Sequence, residues 1–340
     1  MSEFKPRWEK IAEDESLRRS SQVVSTVGNQ VIIFGGEQKP RQPVDNDVYT
    51  IKLGDKGISV QALPSDEASP SARVGTAAAT LENSVYIFSG RGGEAMAPID
   101  EKGALWKFDT ITSKWSHIAP LDVQAPFPQA RSYHCLTSDG VDKIYLHAGC
   151  PEKGRLSDLW YFNVKARSWT RLAFAPDPPR GGTSIAYAQG KLYRMNGFDG
   201  SKELGGSLDI YSPESDSWST LEFPADNASG PGPRSVGALL HLEVQSKASL
   251  VTLFGECDPS ALGHQGAGKM LSDIWVFDLE QQRWTQAFPD PDVGQTTPEA
   301  RGWFAASVVA QTQHNQQSIV LHGGLGESND RLSDAWLLHF

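Results

Sequence analysis

The chain has 340 residues and a formal net charge of −10, 31 basic residues standing against 41 acidic ones. That balance excludes a broad basic face for nucleic-acid phosphates or an anionic membrane, and no apolar run approaches the ~20 residues of a membrane helix. Gly 32 and Pro 21, beside 39% apolar residues, suit many short strands joined by tight turns. Cys135, Cys150 and Cys257 form no even disulfide framework and point to a reducing compartment, while the opening MSEFKPRWEK lacks the apolar core of a signal peptide. The expected location is the cytoplasm, with the nucleus as alternative.

Taken in chain order, the same unit recurs. After Arg7-Trp8-Glu9, a β-rich run VIIFGG ends at Gly36 and is followed by DVYTI; in this first unit Val60 stands where later units carry Trp. The second unit has VYIFSG ending at Gly90, then ALWKF and Trp115; the third has IYLHAG ending at Gly149, then DLWYF and Trp169. The fourth has LYRMNG ending at Gly197, then LDIYS and Trp218; the fifth has VTLFG ending at Gly255, then DIWVF and Trp284. The sixth has IVLHGG ending at Gly324 and DAWLL, and the sequence stops there. Arg73, Arg131, Arg180, Arg234 and Arg301 each open a unit, and the glycines are spaced 54, 59, 48, 58 and 69 residues apart.

This pattern resembles the Kelch repeat, about 50 residues and four strands per unit. It implies an all-β fold, a six-bladed Kelch β-propeller formed by one domain over residues 1–340. The glycine ending each second strand is expected at positive φ, the aromatics between blades, and each opening Arg at carbonyls of the neighbouring blade. Trp8 supplies the Trp strand missing after Trp336, so the N-terminal strand is expected to complete blade 6 and close the ring.

A propeller places ligands at the mouth of its channel. The residues after the six glycines, Glu37, Arg91, Cys150, Phe198, Glu256 and Leu325, should form a ring there; their diversity fits a shaped pocket or ordinary loop variation. Tyr133, His134, Trp303 and Phe304 stand on the innermost strands, as channel filling or as an aromatic wall. Between strands two and three of blade 5 lies GECDPSALGHQGAG, with Glu256, Asp258 and His264. Carboxylate and imidazole suit divalent iron, and residue chemistry alone leaves a metal site and a hydrogen-bonded loop clip both open.

That loop resembles the one in plant nitrile-specifier, epithiospecifier and thiocyanate-forming proteins, Kelch propellers that divert the aglucone of glucosinolates with the help of ferrous iron. The resemblance implies metal ligands at Glu256 and His264. The family's middle Asp falls at Ser260, so Asp258 is the candidate third ligand. Arg91 falls where the family holds the substrate sulfate, and Tyr133 and Trp303 fall where it keeps aromatics. The resulting expectation is an Fe(II)-assisted lyase or isomerase without an organic cofactor, acting on a small anionic sulfur compound. Arg91, Glu256 and His264 are its candidate catalytic residues; Arg91, Tyr133, Trp303 and Glu37 are its candidate substrate contacts. The alternative is a non-catalytic module whose partner is another protein.

Overall fold

The computed structural model describes residues 5–54, 59–289, 296–310 and 317–340. Six four-stranded antiparallel sheets form the six blades. Blade 1 runs from the inner strand Val23–Val27 through Gln30–Phe34 and Val48–Lys52 to Ser59–Leu63, and blades 2 to 5 repeat this meander. Blade 6 takes its first three strands, Ala305–Val309, Ser318–His322 and Asp334–His339, from the end of the chain. Its outermost strand, Arg7–Glu13, comes from the beginning. Trp8 faces Leu338 in that ladder and packs edge-on to Trp336 and tilted against Phe254 of blade 5, at 6.4 and 5.8 Å. The expected closure is therefore present.

The other outer-strand Trp residues stand opposite an aromatic of the third strand, with centroids 5.1 Å apart for Phe108–Trp115 and Phe162–Trp169. They also reach the preceding blade, as in Phe34–Trp115 at 5.0 Å and Phe88–Trp169 at 5.6 Å. Each Trp thus joins two sheets. Blade 1, lacking this Trp, pairs Val60 with Ile51 and fills the space with aliphatic side chains.

The opening arginines differ from expectation. Their side chains bond carbonyls of their own blade: Arg73 reaches Ser89, Arg131 reaches Ala148, Arg234 reaches Phe254 and Arg301 reaches Gly323. Their other guanidinium edge meets an acid in the same blade, Glu101, Asp158, Asp273 or Asp334. In three blades that acid also accepts from an indole two residues on, as Asp158 does from Trp160 at 2.8 Å, Asp273 from Trp275 and Asp334 from Trp336, both at 2.7 Å. The triad fits because a buried guanidinium needs several oxygen acceptors, and one carboxylate supplies two. What crosses between blades is backbone: Gly36 N–H donates to the Arg73 carbonyl, Gly90 to Arg131, Gly149 to Arg180 and Gly197 to Arg234. Positive φ aims these amides. Gly90 lies at φ +103°, and a Cβ on Gly36 would come within 2.7 Å of the Ser20 carbonyl.

One further set of bonds closes on itself. Ser21 N–H donates to Trp303 O, Gly75 to Ser21, Tyr133 to Gly75, Gly182 to Tyr133, Val236 to Gly182 and Trp303 to Val236, over 2.7–3.0 Å. All six residues have φ between +47° and +63°. This girdle of one residue per blade narrows the channel and forms the floor of the mouth.

Candidate functional site

Above the girdle lies a cavity of about 540 Å³, and all six residues that follow the glycines line it. Five are fixed by a two-residue bridge to the segment leading into the girdle: Ser20 with Glu37, Val74 with Arg91, Ser132 with Cys150, Gly181 with Phe198, and Ser235 with Glu256. Leu325 is held in the same way by Gly302. Backbone pairing thus sets where each side chain enters, whatever its identity. Tyr133 and Trp303 come from opposite blades and meet edge to face at 5.2 Å, so the aromatics cover the floor. Gly75 permits this, since a Cβ there would stand 2.8 Å from the Tyr133 ring. His134 and Phe304 face a smaller chamber below.

The charged residues of the wall fall into three groups, apart from the exposed Glu152, which lies between Cys150 and Arg155 in sequence. On blades 2 and 3, Arg91 donates to Ser132 Oγ at 2.7 Å and to the carbonyls of Pro151 and Met96 at 2.7 and 3.2 Å. Its neighbour Arg155 lies over the Phe198 ring at 4.9 Å, with a buried Nε that has no hydrogen-bond partner among the described residues. Neither arginine is in a salt bridge among the described residues. Cys150 sits between them; burial pushes its thiol up, while Arg155 and then Arg91 pull it back. Between blades 6 and 1, Glu37 is neutralised: Arg331 donates to Oε1 at 3.0 Å and the Arg41 amide to Oε2 at 2.7 Å.

On blades 4 and 5 are two buried carboxyls, Glu203 and Glu256, 9% and 5% exposed. Glu256 accepts the Gly268 N–H at 2.6 Å, and the Trp303 indole helps to hold its carboxyl down; burial still keeps it above the ordinary range. Glu203 leans toward Ser235, whose backbone pairs with Glu256, and its Oε1 has no partner among the described residues. Burial, and then the charges of Glu256 and Asp258, push Glu203 up to about 7.

Of the residues singled out in the sequence, Glu37, Arg91, Tyr133, Glu256 and Trp303 all line the one cavity. Asp258 is exposed at the base of the blade-5 loop and is not a lining residue. His264 lies in a 3₁₀ turn, Gly263–Gln265, at the mouth, and its side chain lies outside the described residues. The middle position, Ser260, lines the cavity, but its hydroxyl accepts the Leu262 amide at 3.1 Å. No three His, Cys, Asp or Glu side chains among the described residues are grouped to hold an ion. Of the ligand set implied by the resemblance, Glu256 lines the cavity, Asp258 does not, and the His264 side chain lies outside the described residues.

Arg155, Glu203 and Arg331 were missed in the sequence. They sit five or six residues beyond the ring residues Cys150, Phe198 and Leu325, on the returning arm of the loop between strands two and three. Bridges such as Phe198 with Glu203 and Leu325 with Arg331 turn each arm back into the wall. The similar offset was readable; its meaning depended on seeing those loops as short hairpins.

Comparison with known proteins agrees with this architecture. Residues 21–255 match the family model described as the KLHDC2/KLHL20/DRC7 Kelch-repeats domain. The chain belongs to this Kelch-repeat family. The Kelch chain is also 27% identical over 345 residues to N-(sulfonatooxy)prop-2-enimidothioate sulfolyase of Thlaspi arvense, covering 94% of this chain and 91% of that protein. It is 24% identical over 229 residues to Kelch domain-containing protein 10 of Homo sapiens, covering 64% of this chain and 49% of that protein. No helix among the described residues is long and apolar enough to cross a membrane.

Proposed function

We propose that this Kelch propeller is a small-molecule lyase whose cavity binds a sulfated or similarly anionic compound through Arg91 and Arg155. The observation that carries the reading is the pair of half-buried guanidiniums on one wall, outside every ion pair among the described residues, in a fold that gives most of its buried arginines an acid. The relative whose name specifies a sulfolyase, aligned over nearly the whole chain, supports elimination of an anionic group as the reaction class. Two positive groups fixed before substrate arrives stabilise the charge that grows on a departing oxyanion without reorganising. Arg91 is oriented by three neutral acceptors and presents a fixed charge, while Arg155, stacked on Phe198, has donors to spare. The Tyr133–Trp303 floor excludes water from below.

Iron is the cofactor the resemblance suggests. When bound it would supply a soft Lewis acid for sulfur, and Glu256 is its one fitting ligand among the described side chains. The test is the product mixture when myrosinase releases the allylglucosinolate aglucone in the presence of the protein, under anaerobic conditions with and without Fe(II). A shift from isothiocyanate to nitrile, epithionitrile or thiocyanate, lost in Arg155→Ala, is expected. An unchanged mixture in every condition replaces this reading with that of a protein-binding module.

A further inference from the structure

Buried charges in this propeller are paired as a rule. Arg131, Arg194, Arg234 and Arg301 each meet an acid, Glu37 meets Arg331, and the exception outside the cavity, Arg180, is solvated by the carbonyls of Pro178 and Asn196. The cavity departs from it at two buried carboxyls, and two half-buried arginines in the same cavity also lack an acid. Arg91 and Arg155 stand on blades 2 and 3, and Glu203 and Glu256 on blades 4 and 5, none of them in an ion pair among the described residues. A buried carboxylate oxygen without a partner, as at Glu203 Oε1, is costly and is retained where something binds it.

We propose that the ligand is bipolar, with its acidic group on Arg91 and Arg155 and a cationic nitrogen, a protonated amine or guanidine, between Glu203 and Glu256. The first half rests on the proposed anion site; the second is independent of it. The carboxyl pole is suited to a nitrogen cation for three reasons. Glu203 and Glu256 come from adjacent blades and are linked through Ser235, so both acids belong to one patch of wall. Glu256 already receives the neutral Gly268 amide, which holds its carboxyl in place without cancelling its charge. An ammonium carries several donors for a pair of carboxyls, whereas no third His, Cys, Asp or Glu among the described residues joins them as an ion site would require. The phenyl ring of Phe198, between Arg155 and Glu203 in sequence and in the wall, and the Tyr133–Trp303 floor would cover the apolar middle of such a molecule.

The test is calorimetric titration of the whole chain with ω-amino alkanesulfonates of three to six carbons, each against the alkanesulfonate of the same length. At the best length the amino compound should bind at least about ten-fold tighter. Glu203→Gln should abolish that advantage while leaving the plain sulfonate unaffected, and Arg155→Ala should weaken both. Glu256→Gln serves as second variant if Glu203→Gln does not fold. If the plain sulfonate binds through Arg155 and the amine adds nothing, the bipolar ligand is overturned and the anion site stands. If neither series binds, the anion site falls and the proposal with it. If Mn(II) alone binds tightly in a Glu203-dependent way, the carboxyl pole is a metal site and the amine assignment is overturned.

Discussion

Arginines in this molecule differ in what their removal should expose. Arg131 is fully buried and grips Asp158 through both edges at 2.6 and 2.8 Å. Arg131→Met should cost about 3–5 kcal/mol in a denaturant melt, because it leaves a buried carboxylate with only Trp160 as donor. Arg155 has no carboxylate to abandon, so Arg155→Ala should lower anion affinity by roughly ten-fold or more and move the melting temperature by no more than ~2 °C. Glu203 gives a pH dependence. Its carboxyl is raised from 4.5 to about 7, so between those values the folded state holds a proton that the unfolded state has lost. Stability from this group is therefore full below pH 4.5, falls as pH rises to about 7, and is flat above. Glu203→Gln should match wild type at pH 5 and exceed it by roughly 2–4 °C at pH 8. Equal melting curves at both pH values would show that this carboxyl is not held protonated.

At the scale of strands and loops, the repeat was legible because its signals are backbone requirements. Glycine is demanded where an N–H must turn toward the next blade, and Trp where one side chain must bridge two sheets. Trp8 carried the closure for the same reason. Deleting residues 1–12 should remove the outer strand of blade 6 and its aromatic latch, with a loss well above the 3–5 kcal/mol of a single buried Trp; melting within a degree or two of the intact chain would refute it. The arginine triads were less legible. Arg and acid lie 28, 27, 39 and 33 residues apart in blades 2, 3, 5 and 6, following loop length. In blades 3, 5 and 6 the constant part is the Asp two residues before a third-strand Trp, whereas blade 2 uses Glu101, five residues before Trp106. In the site, Glu37, Arg91 and Glu256 were found because the ring offset is constant, whereas Arg155 and Glu203 depend on loops that fold back. The blade-5 loop also tests the metal set directly. Ser260→Asp restores the missing acid, so anaerobic ferrous titration should show about ten-fold tighter binding than wild type; unchanged affinity would argue that this loop does not carry the ion.

Across the whole molecule, the girdle of Ser21, Gly75, Tyr133, Gly182, Val236 and Trp303 has a consequence that no single blade has. Each amide donates to the preceding blade, and the sixth bond returns to the first, so no blade can leave without breaking two girdle bonds. The residues adopt left-handed backbone even where the side chain opposes it: Val236, β-branched, sits at φ +47°. Such a conformation costs of order 1–2 kcal/mol for a residue with a Cβ and persists where its surroundings enforce it. The same bonds form the cavity floor, so the surface that carries Tyr133 and Trp303 is as stable as ring closure itself. Native-state hydrogen exchange tests this. The six girdle amides lie outside the named strands, where local opening usually makes exchange fast. Here they should rank with the slowest amides of the protein, exchanging only by global unfolding and tracking its denaturant dependence. Outer-strand amides, including those of Arg7–Glu13, should exchange through smaller openings. If the girdle exchanges faster than the outer strands, the floor breathes independently of the blades, and a ligand would then enter a site that is not preformed.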